Sequence, residues 1–245
     1  GDSKRGLDWL LPRREAWAHC NNFRYHVWWH LALMHLDRGE MAEVLRLYDD
    51  TIRADHTDDY RDISNAASLL MRLQIEGVPV GGRWEELAEI SSRRIEDGCL
   101  AFADLHYLLA LVGGQRKDAT RGLIARIHLD AQRRESEIDR TMARPGLDAA
   151  TGLEAFGEGK FEMAYAHLAS ARPTMQTIGG SHAQRDVFER LTIEAALRAG
   201  RLDDAGAILD SRAAQRGGRQ DRFARDRREI IAQAREEAAR LAVAS

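Results

Sequence analysis

Cysteine, proline and long apolar runs are all scarce in this chain, and each shortage excludes something. Only Cys20 and Cys99 occur among the 245 residues. They are too far apart for metal-ligand spacing, so the expectation is a reduced, cytoplasmic protein, with a single bridge between them left open. With only 4 prolines, long stretches run without a helix breaker. No apolar run approaches the roughly 20 residues that cross a bilayer, so no membrane partner is expected. Gly1 to Leu11 lacks a hydrophobic region of signal-peptide length, and the opening Gly1-Asp-Ser-Lys-Arg-Gly6 reads as the interior of something longer. A formal net charge of -3 gives no global attraction to nucleic acid. Gly-rich phosphate loops, Cys–His nucleophile pairs and serine elbows are also missing, and no cofactor is expected.

What is present describes an ordinary globular protein, with 44% hydrophobic and 31% charged residues. The length suffices for a sizeable core and is read as one domain over 1–245. Abundant Ala, Leu, Glu and Arg favour helix. Leu7 to His19 carries a helical face with Pro12 near its first turns, and Asn21 and Asn22 offer an N-cap to the next helix. His26-Val-Trp-Trp-His30-Leu-Ala-Leu-Met-His35 is apolar nearly all round and breaks at Gly39, after which Glu40 to Arg53 returns. Further helices are expected over Tyr60–Ile75, Trp84–Ile95, Cys99–Val112 and Lys117–Ala131, the last with a charged extension through Glu137 to Ala143. Leu147–Gly157 pairs with Lys160–Ser170 around Gly159, His182–Ala199 pairs with Leu202–Ala214 around Gly200, and Arg219–Val243 forms a long tail helix. No segment alternates as a strand does, so the fold class is all-α.

Helical pairs broken at Gly39, Gly114, Gly159 and Gly200 prompt a test for repeats. In a tetratricopeptide repeat, small residues let two helices approach closely and an aromatic fills the space beside them. Gly159, Phe161, Ala164 and Ala171, with Gly152 on the first helix, fit that logic; Gly200-Arg-Leu202-Asp-Asp-Ala205 repeats it, and Trp28, Leu31, Ala32, Gly39 and Tyr48 make a third copy. Spacings of about 40 to 75 residues exceed the roughly 34-residue period. The expected architecture is an irregular tetratricopeptide-like α-solenoid of about five helical pairs, closed by a long C-terminal helix.

Four stretches in order then resemble the tetratricopeptide repeat protein 38 family. They are His26-Val-Trp-Trp-His30-Leu-Ala-Leu, Arg72-Leu-Gln-Ile-Glu-Gly77 with Trp84, Phe102-Ala-Asp-Leu-His106-Tyr-Leu-Leu-Ala-Leu-Val-Gly113, and Gly179-Gly-Ser-His-Ala-Gln-Arg-Asp-Val-Phe188. The resemblance covers the C-terminal part of the family's length. It implies a repeat-type helical fold and brings no reaction or ligand. Two departures accompany it: a preceding helical half is missing, and Arg216-Gly-Gly-Arg-Gln stands where a proline-containing run belongs.

In a solenoid the first helix of each pair lines the concave surface, so its polar residues face a ligand. His26 and His30 share one face, one turn apart. Asp62 and Asn65 share another, with Ser64 and Ser68 nearby; Asp104 and Tyr107 form a third, and Gln184, Arg185 and Asp186 follow the Gly179-Gly180-Ser181 turn. The leading expectation is a peptide or small polar ligand held in the groove by His26, His30, Asp62, Asn65, Asp104 and Arg185. One alternative is a metal-dependent enzyme, with His26 and His30 joined by Asp62 and Asp104. Another is a structural assembly module that self-associates through the N-terminal helices near Trp9 and Trp17. Beside these stand plainer roles: packing for the histidines, Trp28 and Trp29; capping or charge pairing for Asp62 and Asp104; an Arg185–Asp186 ion pair. The run Arg216 to Arg228, with Asp221, Asp226 and Glu229 interleaved, is read as a solvated helical face rather than a nucleic-acid patch.

Overall fold

The computed structural model describes residues 2–243, and no strand occurs among them. The expected domain ends at Gly1, Ala244 and Ser245 lie outside the described residues. The helices run α1 Ser3–Leu10, α2 Phe23–Asp37, α3 Met41–Leu47, α4 Tyr60–Ile75, α5 Arg83–Ser92, α6 Ala101–Gly113 and α7 Lys117–Arg133. They continue with α8 Glu137–Thr141, α9 Leu147–Gly157, α10 Phe161–Ala171, α11 His182–Arg198, α12 Leu202–Gln215 and α13 Arg222–Val243. No helix among the described residues is long and apolar enough to cross a membrane.

Several boundaries move from their expected places for local reasons. Pro12 ends α1 early, and Leu11–Ala16 becomes a 3-10 turn. The return helix after Gly39 loosens into a π-turn at Tyr48–Ile52, closed by the Arg53 N–H on the Tyr48 carbonyl at 2.9 Å. The charged extension to Ala143 is a separate helix, because Arg134 turns left-handed and Ser136 opens α8 with a capping box to Asp139.

One closing turn recurs. At Gly39, φ is +77°, a conformation that costs glycine little because it has no Cβ. There the Glu40 N–H reaches back to the His35 carbonyl at 3.0 Å, the Schellman pattern that satisfies orphan carbonyls at a helix end. Residues 77, 115, 159 and 200 repeat it. These turns fall about every 40 residues, more regularly than expected, because Gly77 and Gln115 also close helices. The expected break at Gly114 is therefore displaced by one residue. Gly113 and Gly114 serve contact instead, since a Cβ there would strike Trp84 and Ala88.

Each turn makes a hairpin: α2 packs on α3, α4 on α5, α6 on α7, α9 on α10 and α11 on α12. Gly152 lets α9 approach α10 closely, because a Cβ would lie 2.7 Å from Leu168 Cγ. Trp28 and Trp29 are buried, and Trp17 packs edge-on to Trp28 with ring centroids 4.9 Å apart. Trp17 is thus covered within the fold, while Trp9 stays 58% exposed.

The hairpins do not leave an open inner groove along α4 and α6. Every residue of α4 from Asp62 to Leu73, and of α6 from Ala101 to Leu111, is buried. Helix α11 packs against α4, and its Phe188 ring meets His106 of α6 at 5.2 Å. The face that sequence reasoning assigns to a ligand is covered there by the chain's own helix α11. The reason is composition: α11 buries Val187, Phe188, Leu191 and Ile193, apolar side chains whose removal from water stabilises the fold by roughly 1.5–3 kcal/mol each.

Helix α13 is fastened by ions. The Arg222 backbone N–H donates to Asp37 at 2.9 Å and its guanidinium to Glu76 at 2.6 Å. Arg227 donates to the Ile75 carbonyl at 2.6 Å and pairs with Glu194 at 3.3 Å. Phe223 lies between the guanidinium groups of Arg190 and Arg227, at 4.4 and 4.5 Å. The arginine run is thus only partly a solvated face: Arg222 and Arg227 turn inward because buried carboxylates await them.

Candidate functional site

Three of the expected residues come together where α2, α4 and α11 meet. His26 and His30 face each other, Nε2 to Nε2, at 3.1 Å. Asn65 contacts His26 Nδ1 at 3.2 Å, and Gln184 contacts Asn65 Oδ1 at 3.3 Å. Gln184 is in turn the capping-box residue of α11, its Oε1 accepting from the Ser181 N–H at 2.9 Å.

The polarity of this chain follows from its first member. A backbone N–H only donates, so Gln184 must present Oε1 to Ser181 and its NH₂ to Asn65. Asn65 then accepts through Oδ1 and donates through Nδ2 to His26 Nδ1. His26 therefore carries its proton on Nε2 and donates it to His30 Nε2, which leaves the His30 proton on Nδ1. Burial keeps both rings neutral: it lowers the pKa of His26 and takes that of His30 to about 4, with His26 and Arg72 adding repulsion at His30. Long-range ¹H–¹⁵N spectra at pH 7 should show His26 as the Nε2–H tautomer and His30 as Nδ1–H. A His26 proton on Nδ1 would refute the chain.

The remaining expected residues go elsewhere. Asp62 Oδ2 accepts from Asn22 Nδ2 at 2.8 Å and Thr57 at 2.6 Å, and Oδ1 is buried without a hydrogen-bond partner. Burial pushes this carboxyl above its ordinary value. Asn22, expected as a side-chain cap of α2, makes no cap bond: its backbone is helical rather than extended, and its Nδ2 donates to Asp62. Asp104 forms a close buried ion pair with Arg126 at 2.6 Å, and Arg126 also holds Asp130. Its carboxyl is pushed up to about 6 by burial, against the pull of Arg126.

The four-residue metal set is consequently not assembled. Asp62 is held by Asn22 and Thr57, and Asp104 by Arg126. Among the described residues no group of three or more His, Cys, Asp or Glu is placed to hold a metal ion.

Arg185 lies on a different surface. It does not pair with Asp186; its Nη1 bends back to the carbonyls of Gly179, at 3.0 Å, and Gly180. There, between α10, the turn Arg172–Ile178, α11 and α12, opens a cleft of about 880 Å³. Leu168, Met175 and Phe188 supply apolar wall, and Arg172, Arg185 and Arg216 supply cationic rim.

Behind that cleft sits a buried ionic floor that sequence reasoning missed. Asp186 accepts from Arg190 at 2.8 Å and Arg212 at 2.9 Å. Asp221 accepts from Arg212 at 2.6 Å and Arg216 at 2.5 Å. Burial opposes the charge on Asp186, yet Arg190, Arg212, Arg72 and Arg216 hold its carboxyl far below the usual range. Arg72 is fully buried; its guanidinium donates to the Ser68 and Ala183 carbonyls at 3.0 and 2.7 Å, and burial lowers its pKa to about 9. An arginine inside the apolar run Leu69-Leu70-Met71-Arg72-Leu73 is the one local signal that could have marked this region, since an arginine is almost never buried without acceptors.

No family model matches the chain, and no solved structure matches it.

Proposed function

We propose that the protein is a binding module, an irregular tetratricopeptide-like solenoid that holds a peptide segment or small polar ligand in the cleft between α10 and α12. The observation that carries this reading is the cleft itself. Its volume of about 880 Å³ falls in the range of ligand pockets, roughly 300–1,000 Å³, and it combines apolar walls with a few convergent polar groups, as such pockets do. The recurring hairpins support the solenoid part of the reading, as does the resemblance of His26–Leu33, Phe102–Gly113 and Gly179–Phe188 to the tetratricopeptide repeat protein 38 family. A cytoplasmic setting belongs to the same proposal, supported by Cys20 and Cys99 as free thiols. The histidine face of α2 takes a supporting part: it orients Asn65 and Gln184, and through them the turn that begins α11.

Met175 lines the cleft, so its methyl group is a built-in reporter. In a fragment and short-peptide screen with ¹³C-methyl methionine labelling, binders are expected to shift Met175 while leaving Met41, on α3, in place. Binders that move only methyls remote from the cleft would overturn the proposal, and so would a screen in which nothing moves Met175.

A further inference from the structure

The charges around the cleft do not balance. Asp186 and Asp221 are the anions of its floor, and four cations crowd them: Arg72, Arg190, Arg212 and Arg216. Glu76 is within 3.8 Å of Arg190, but it also serves Arg222 at 2.6 Å and Arg227 at 3.5 Å. Arg172, on the rim, is matched by Glu189 at 2.9 Å. Arg185 is not matched at all: among the described residues it makes no ion pair, and its hydrogen bonds there run from Nη1 to the Gly179 and Gly180 carbonyls.

Those two carbonyls do more than consume a donor. They anchor one corner of the guanidinium and leave the Nε and Nη2 N–H groups, which share an edge, without partners among the described residues. Two parallel N–H groups on one edge match the two oxygens of a carboxylate, and such bidentate pairs are short, strong and geometrically selective. Within the same cleft Ser211 accepts from Arg172 at 2.9 Å, so its hydroxyl proton is available to donate. Leu168, Ala171, Met175 and Phe188 line the space beyond with carbon and sulfur.

We infer that the cleft selects an organic anion, a carboxylate carried at the end of an apolar body, with the Nε–Nη2 edge of Arg185 as its primary anchor. This rests on the cleft being the binding site. The shared chemistry has two sources, the carboxylate of a medium-chain acyl compound and the free C-terminus of an apolar peptide. The cleft volume exceeds what a bare inorganic anion fills, and the wall beside Arg185 suits the chain rather than a second charge.

The experiment titrates the full chain with octanoate and octanamide, and with the tripeptide Ala-Leu-Leu bearing a free or an amidated C-terminus. Calorimetry gives affinity and the Met175 methyl gives location. At least one carboxylate is expected to bind about tenfold or more tighter than its amide, and R185Q should remove that preference, as the loss of a charge-assisted bidentate pair requires. If R185Q fails to fold, R185K reads the same point. It keeps the charge and loses the planar fork, so affinity should fall at least about threefold with the fold intact. Octanoate binding alone identifies an acyl ligand, and free-terminus peptide binding alone a peptide. Equal binding of acid and amide at Met175 would overturn the anion assignment and leave the cleft as a ligand site. Unchanged affinity in R185K would overturn Arg185 as anchor. If none of the four probes shifts Met175, the anion assignment falls while the broader screen still decides the binding reading.

Discussion

Asp221→Ala should destabilise the protein by about 3–5 kcal/mol, the range seen when one partner is taken from a buried ion pair and uncompensated charge is left behind. Asp221 holds Arg212 and Arg216, approaches Arg190 at 3.3 Å, and is only 7% exposed. It also caps α13, accepting from the Ala224 N–H at 3.0 Å. Asp221→Asn separates the two roles. It keeps a capping oxygen, worth about 1 kcal/mol, and removes the charge, so most of the loss should persist. Urea unfolding at pH 7 reads both variants; a loss below about 1 kcal/mol in Asp221→Ala would show that the arginines find other partners.

The same network sets acid sensitivity. Burial resists the charge on Asp221, but the hydrogen bond from Arg212 and the charges of Arg190, Arg212 and Arg216 hold its carboxyl well below the ordinary carboxylate range. With a depressed folded-state pKa, its contribution is complete above the unfolded value of about 3.9. It is lost as pH falls from there through the folded value.

A second acid-sensitive contribution should precede this one, between pH 6.5 and about 4. His106 is fully buried, and burial takes its pKa to about 4. Its Nδ1–H donates to the Phe102 carbonyl at 2.7 Å, while Nε2 is buried without a partner. The folded state thus refuses a proton that the unfolded chain accepts near pH 6.5. The His106 contribution is complete above that value, is lost as pH drops towards 4, and levels off below, while Asp104, whose carboxyl is pushed up to about 6, runs the other way because the folded state takes its proton first. At 1.36 kcal/mol per pKa unit, the His106 contribution is about 3 kcal/mol. His30 moves in the same window and direction but is only half-buried, so solvent reduces its share.

His106→Leu should remove that contribution, so the stability of the variant relative to the parent chain should rise by about 3 kcal/mol between pH 7 and pH 4. At pH 7 the cost should stay within about 1.5 kcal/mol, because the swap is apolar and of similar bulk. Losing the unpartnered Nε2 offsets part of it. Urea midpoints at pH 7, 5.5 and 4 test this; an unchanged slope in the variant would assign the window to other groups.

The all-helical character and the hairpin turns at Gly39, Gly159 and Gly200 were legible in the chain, because periodicity and left-handed glycines act within a few residues. The union of His26 with His30 was legible for the same reason, being a matter of one helical turn. The partners were not. Nothing near Asp104 announces Arg126, nothing near Asn65 announces Gln184, and the pairing of Arg212 with Asp221 needs α12 and α13 already placed. Gln115 was missed as a helix end because a residue other than glycine occupies the left-handed position, beside two glycines that serve close contact instead.

By itself, then, the sequence determined where helices form and end, which of their faces are apolar, and that consecutive helices pair. These follow from propensity, capping and spacing, which are local. Only the tertiary structure decided that α11 lies across α4 and α6, so that Asn65, Ser68 and Arg72 find partners within the protein and His106 is buried rather than offered to a groove. It also decided that Arg185 faces a cleft with one edge of its guanidinium unpaired. Those outcomes depend on which apolar faces meet and which charges are buried together, and contacts between separate helices, such as Arg212 with Asp186 or Arg72 with Ala183, leave no spacing to read.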